Sequence, residues 1–239
     1  MARLQVGLPE IVGDVAKYAT KFDMVELRPT PGAAPRAATL RGWRRATNPS
    51  FTFSVVLPPI VGELKMNKEM DAALEESLAV ATTIEARCVV LSTPADVRPT
   101  QQTMTRLRAV VERLPKPSVV LCWEPHGIWE RSEIIQTARQ LGVVPVFDAA
   151  QTALAPGPIV YTRLRSLGGQ SAIGERGLAR VSEQLVGRRE AWVVVEHRPS
   201  AARVRSALAA ALEREPPGGA SAVIVRPAPG RLRAEDEEQ

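Results

Sequence analysis

The stretch SVVLCWEPHGIWERSEIIQTARQLGVVPVF, residues 118–147, carries the pattern that decides the fold. An apolar, β-rich run (Ser118–Trp123) leads through Pro125 and Gly127 into a helical pattern over Glu130–Leu141. A second apolar run, Val143–Phe147, follows at once. Such alternation predicts βα units on a parallel sheet. Working outward, Leu4–Leu8, Asp23–Arg28, Phe51–Leu57 and Cys88–Ser92 read as the four strands upstream. Helical patterns lie between them at Pro9–Thr20, Pro35–Thr47, Lys65–Ile84 and Pro99–Leu114; the third sets Leu74, Leu78 and Ala81 on one face. Downstream, Pro158–Leu164 and Ala191–Val195 read as strands seven and eight. Their helices are Glu175–Leu185 and Ser200–Glu213, the last with Ser200 as its N-cap. Only Ala149–Pro158, rich in Ala, Pro and Gly, reads as a loop or a very short helix.

Eight units use the chain to about residue 214, which predicts an α/β fold: a (β/α)8 TIM-type barrel over residues 1–214. A ninth apolar run, Ala222–Val225, follows Pro216-Pro217-Gly218-Gly219 and has no place in eight strands. Residues 215–227 are therefore expected to form an extension with an extra strand, lying on the barrel or pairing with another chain. The acidic tail, 228–239, is expected to be disordered.

Composition agrees with one domain. The chain has 239 residues, of which 45% are hydrophobic, 24% charged and 4% aromatic, so aliphatic side chains must fill the core. No apolar run approaches the roughly 20 residues of a membrane helix, and the N-terminus lacks a signal-peptide profile. Cys88 and Cys122 fall in strand-like runs, where buried free thiols are expected, and a cytoplasmic location with them. Net charge is +5; setting aside Glu235, Asp236, Glu237 and Glu238 leaves 22 acids against 31 bases, a body of +9. A basic body attracts nucleic acid or phosphorylated ligands, although solvated helix faces account for it equally well, and no helix-turn-helix, zinc-finger or RNA-binding signature is present.

In such barrels the chemistry sits where strands end at the C-terminal face. Strand two ends in Glu26 and Arg28, strand five in Glu124 and His126, strand six at Asp148. Strand seven carries Tyr161, Arg163 and Arg165 in phase, and strand eight ends in Glu196 and His197. Three readings follow. One is an internal Glu26–Arg163 or Asp148–Arg163 ion pair that only satisfies the interior. A second is acid–base chemistry, with Glu26 as base, Glu124, His126 and Asp148 as further catalytic groups, and Arg28, Arg163, Arg165, Glu196 and His197 binding an anionic substrate. A third is a divalent metal held by Glu26, Glu124, Asp148 and a histidine, although no tight ligand spacing supports it and no cofactor is predicted. Gly168-Gly169 with Gly174 lacks the ending of a phosphate loop, yet Arg165 just before it leaves an anion site open. Trp123 and Trp129 bracket the strand-five loop as core or lid packing.

Several segments together resemble the YecE-like family, domain of unknown function 72. They are Phe22-Asp23-Met24-Val25-Glu26-Leu27, Trp43, Pro49 to Val55, Val97-Arg98-Pro99-Thr100, Trp123-Glu124-Pro125-His126-Gly127-Ile128-Trp129, Asp148, and Val160-Tyr161-Thr162-Arg163-Leu164. The resemblance covers about residues 4–212 and implies a TIM-type barrel with no established activity. Glu26, Glu124, Asp148 and Arg163 match the family pattern. Departures at Leu8-Pro9-Glu10, Val56, Ser92, Arg165-Ser166 and Glu196-His197 mark a divergent member. The functional expectations are a hydrolase or isomerase for a small anionic or phosphorylated substrate, a nucleic-acid-binding protein, or a scaffold that assembles through Ala222–Val225.

Overall fold

Eight parallel strands close on themselves in chain order in the computed structural model, which describes residues 3–114, 119–165 and 171–214. They are β1 (Arg3–Leu8), β2 (Met24–Leu27), β3 (Thr52–Val56), β4 (Cys88–Thr93), β5 (Val120–Pro125), β6 (Val144–Phe147), β7 (Ile159–Leu164) and β8 (Glu190–Val195). Pairing of β8 with β1 from Arg3↔Glu190 to Gly7↔Val194 shuts the barrel, so its sheet has no free edge. The helices are α1 (Val15–Ala19), α2 (Ala37–Ala46), α3 (Pro59–Gly62), α4 (Lys68–Thr83), α5 (Gln101–Glu112), α6 (Arg131–Leu141), α7 (Glu175–Leu185) and α8 (Ala201–Arg214). None of them is long and apolar enough to cross a membrane, among the described residues.

Local chemistry sets the helix ends. The first helix is far shorter than Pro9–Thr20, because Gly13 turns at φ +74° and Asp14 then caps by accepting from Lys17 N at 3.0 Å. Similarly α4 starts at Lys68, where the Asn67 side chain accepts from Met70 N at 2.9 Å. Leu64 and Met66 both turn at positive φ just before it, and α3 is a short helix that the periodicity did not reveal. Ser200 is not the expected N-cap. It ends a 3-10 turn, Arg198–Ser200, and donates to His197 O at 3.0 Å. The β6–β7 connection holds no helix. Residues 166–170 and 215–239, with Gly168-Gly169, the Ala222–Val225 run and the acidic tail, lie outside the described residues.

Alternation along each strand sorts side chains into two apolar regions. Outward-facing Val25, Phe53, Val89, Leu121, Val193 and their neighbours bury against the helices, each worth roughly 1.5–3 kcal/mol in transfer from water. Trp123 and Trp129 belong to this core, edge to face at 5.0 Å, rather than to a lid. Inside the barrel, Met24, Cys88, Val90, Cys122, Val146, Tyr161, Trp192 and Val194 form a second cluster, in which both cysteines are buried and free. Beneath it Gln5 Oε1 accepts from Thr52 Oγ1 at 2.6 Å and Trp192 Nε1 at 2.7 Å. The interior is thus polar but uncharged towards the N-terminal end. All its charge lies at the other end.

Candidate functional site

The two-residue period carries Glu26 and Arg28, Ser92, Glu124 and His126, Arg163 and Arg165, and Glu196 to the C-terminal mouth. There the charges pair in an unbroken ring. Glu26 Oε1 accepts from Arg28 Nε at 2.9 Å and Nη2 at 2.8 Å. Arg28 Nη2 donates onward to Glu196 Oε1 at 2.8 Å, and Glu196 Oε1 lies 3.5 Å from Arg165 Nε. Arg165 Nη1 donates to Glu124 Oε1 at 2.6 Å and Nη2 to Glu124 Oε2 at 3.2 Å. Arg163 Nη1 then donates to Glu124 Oε2, and Arg163 Nε returns to Glu26 Oε2 at 2.9 Å. Three carboxylates alternate with three guanidinium groups, so the ring is neutral.

Its inner and outer halves differ. Glu26 and Arg163 are deeply buried, Arg163 with 3% of its side chain exposed. Beneath them Tyr161 donates to Glu26 Oε2 at 2.6 Å and shares a hydrogen bond with Ser54 Oγ at 3.0 Å. Ser92 donates to Glu124 Oε2 at 3.0 Å. By contrast Arg28 and Arg165 keep 43% and 32% of their side chains in solvent. Arg163 Nη2 lies 2.8 Å from Glu26 Oε2, yet it is a buried nitrogen without a hydrogen-bond acceptor among the described residues.

Electrostatics follows from the pairing. Burial pushes the Glu124 carboxyl up, but the His126 contact and the charges of Arg163 and Arg165 outweigh it and hold the group well below the usual carboxylate range. For Arg163, burial alone would lower the value; Glu26 and Glu124 reverse that and raise it. Tyr161 is raised, by burial first and then by Glu26. Glu26, with Arg28, Tyr161 and Arg163 on its two oxygens, has no lone pair left for a substrate proton. In this structure the acceptor sites of the expected base are all taken by neighbouring side chains.

His126 stands apart from that saturation. It follows β5, its side chain is 43% exposed, and Nε2 lies 3.5 Å from Glu124 Oε2. Two expected site residues are not drawn in. Asp148 accepts from Ala150 N at 2.9 Å, Arg165 N at 2.9 Å and Gln151 Nε2 at 3.1 Å, so it pins the β6 and β7 loops and forms no pair with Arg163. His197 Nδ1 lies 3.0 Å from Ser200 Oγ and makes no pair with the ring among the described residues. Tyr161, Ser54 and Ser92 belong to the site although the strand-end carboxylates and arginines drew attention first; their inward phase was the available signal. No three His, Cys, Asp or Glu side chains stand together as a metal site among the described residues. The cations between Glu26, Glu124 and Glu196 are guanidinium groups. Beside Arg28 opens a groove of about 460 Å³ walled by Pro9, Ile11, Leu27 and Trp43.

Comparison with known proteins supports the architecture. A DUF72 protein (TM1631) from Thermotoga maritima superposes at TM-score 0.68 with 17% identity, over 87% of this chain and 99% of that one. A second DUF72 protein (EF0366), from Enterococcus faecalis, gives 0.67 and 15%, over 90% and 99%. D-psicose 3-epimerase with D-tagatose, from Clostridium cellulolyticum H10, gives 0.54 and 11%, over 84% and 91%. No curated protein matches in sequence. The family described as "Protein of unknown function DUF72", the same family as the YecE-like one, matches residues 7–220. The chain belongs to that family.

Proposed function

We propose that this barrel is a proton-transfer enzyme of the isomerase type, acting at its C-terminal face on a small anionic hydroxy- or keto-compound. The observation that carries the reading is His126. It is the imidazole of the cluster, open to solvent and backed by a buried carboxylate, Glu124. In the proposed step, His126 takes a proton from the carbon next to a carbonyl, and the electron pair left behind spreads onto the carbonyl oxygen. The proton then returns to the former carbonyl carbon while the neighbouring hydroxyl passes its own proton to the former carbonyl oxygen and becomes the new carbonyl, or it returns to the opposite face of the same carbon, so substrate and product are isomers. Glu124 orients the imidazole and offsets the charge it gains, while the exposed edges of Arg28 and Arg165 hold the substrate's anion and the developing negative oxygen. The shared barrel form of D-psicose 3-epimerase supports a hydroxy-carbonyl substrate. The complete pairing of Glu26 favours a second reading, a non-catalytic barrel whose ring is only a lock.

The two readings part in heavy water. Aldoses, ketoses, their phosphates and hydroxy acids are incubated with the chain, and loss of the C–H signal beside the carbonyl is followed by proton NMR. Exchange is expected in at least one class and should slow by about 100-fold or more in His126→Asn. Exchange in none, or a rate untouched by His126→Asn, contradicts the enzyme reading.

A further inference from the structure

We propose that the space between Arg28 and Arg165 is a seat for a ligand's carboxylate, and that Glu196 fills it as an internal stand-in. The inference rests on the reading of this face as a ligand site. Glu196 differs from the other two carboxylates of the ring. Glu26 and Glu124 are buried and touch inner groups, whereas the Glu196 side chain, among the described residues, pairs with the two outer arginines alone, through Oε1 to Arg28 Nη2 at 2.8 Å and to Arg165 Nε at 3.5 Å. It lies just past the end of β8 with 16% of its side chain exposed, one rotation from water. Both arginines are fixed from behind, Arg28 by Glu26 and Arg165 by Glu124. When Glu196 leaves, the two guanidinium groups stay in place. That is the preorganisation a binding site needs.

Charge selects the ligand. Exchanging Glu196 for a carboxylate keeps the inner ring neutral. A phosphate dianion would add surplus negative charge beside Glu26 and Glu124, which share the same guanidinium groups. The groove walled by Trp43, Leu27, Ile11 and Pro9 opens on Arg28 and gives a carbon skeleton somewhere apolar to lie. The class is therefore a carboxylic acid, with the hydroxy or keto group of the proposed chemistry near the carboxylate. Because Glu196 competes from within the chain, the seat is open only part of the time, and apparent affinity falls by that fraction.

The test is calorimetric titration of the full chain with glycolate and with inorganic phosphate at fixed ionic strength. Glu196→Gln should bind glycolate at least about ten-fold more tightly than the parent, with a smaller gain for phosphate. Glu196→Ala should show the same order, and adding Arg165→Ala should erase the gain. Glu190→Gln, at the opposite end beside Arg87, is the control and should bind as the parent does. No gain in either Glu196 variant, or a larger gain for phosphate than for glycolate, overturns the proposal. Glycolate binding in Glu196→Gln without any deuterium exchange in the parent would keep the seat and remove the enzyme reading; exchange without the gain would do the reverse.

Discussion

Arg163 holds two carboxylates at once from a position with almost no access to water. Removing one partner of a buried pair leaves uncompensated charge, so Arg163→Met should cost about 3–5 kcal/mol in urea denaturation. Tyr161→Phe removes the donor to Glu26 Oε2 and the partner of Ser54, and should cost about 1–3 kcal/mol by the same measurement. Much of this was legible beforehand. Phase alone put Glu26, Arg28, Glu124, Arg163, Arg165 and Glu196 at one end of the barrel. Which of them pair was not legible, because Asp148 and Glu26 are equally plausible partners for Arg163 until the loop turns are known. The contacts of Asp148 were not legible either, because its carboxylate accepts from backbone N–H groups, whose positions no side-chain pattern encodes.

At the level of elements, the loops after the strands decide what the site presents. Gly127 follows His126 at φ +89°, and a Cβ there would meet Ala95 O at 2.4 Å. Gly127→Ala should destabilise by about 1–3 kcal/mol and displace His126, which urea denaturation and the deuterium-exchange rate would show together. Every strand was readable as a mostly apolar run, since strands buried on both faces are rich in β-formers, although Gln5, Glu26, Ser54, Glu124 and Arg163 interrupt them. Helix lengths were less so. Apolar periodicity runs on past the true ends, and α1 starts late because Gly13 turns the chain and Asp14 caps the helix N-terminus there. The same holds for α4, where Asn67 fixes the start.

Among the described residues, charge is kept out of the barrel interior except at one end. Buried ion pairs add little net stability compared with apolar packing. Their confinement to the C-terminal mouth, above an apolar layer, is the arrangement that the proposed enzyme reading builds on. The arrangement gives the fold an acid dependence. Glu124 is depressed in the folded chain, so its contribution is present above the ordinary glutamate value of about 4.3 and is lost as pH falls from there through the folded value. The stability gap between the parent and Glu124→Gln, measured in urea, should therefore be wider at pH 7 than at pH 3.

Whether the ring is a ligand site or a lock is tested most directly at its own nitrogen atoms. Arginine Nε–H signals of the ¹⁵N-labelled chain, assigned by Arg28→Lys, Arg163→Lys and Arg165→Lys, would be followed during titration with glycolate. The account predicts that Arg28 and Arg165 shift with saturation, while Arg163, buried between Glu26 and Glu124, shifts far less. Three resonances that stay still to the end of the titration would contradict it.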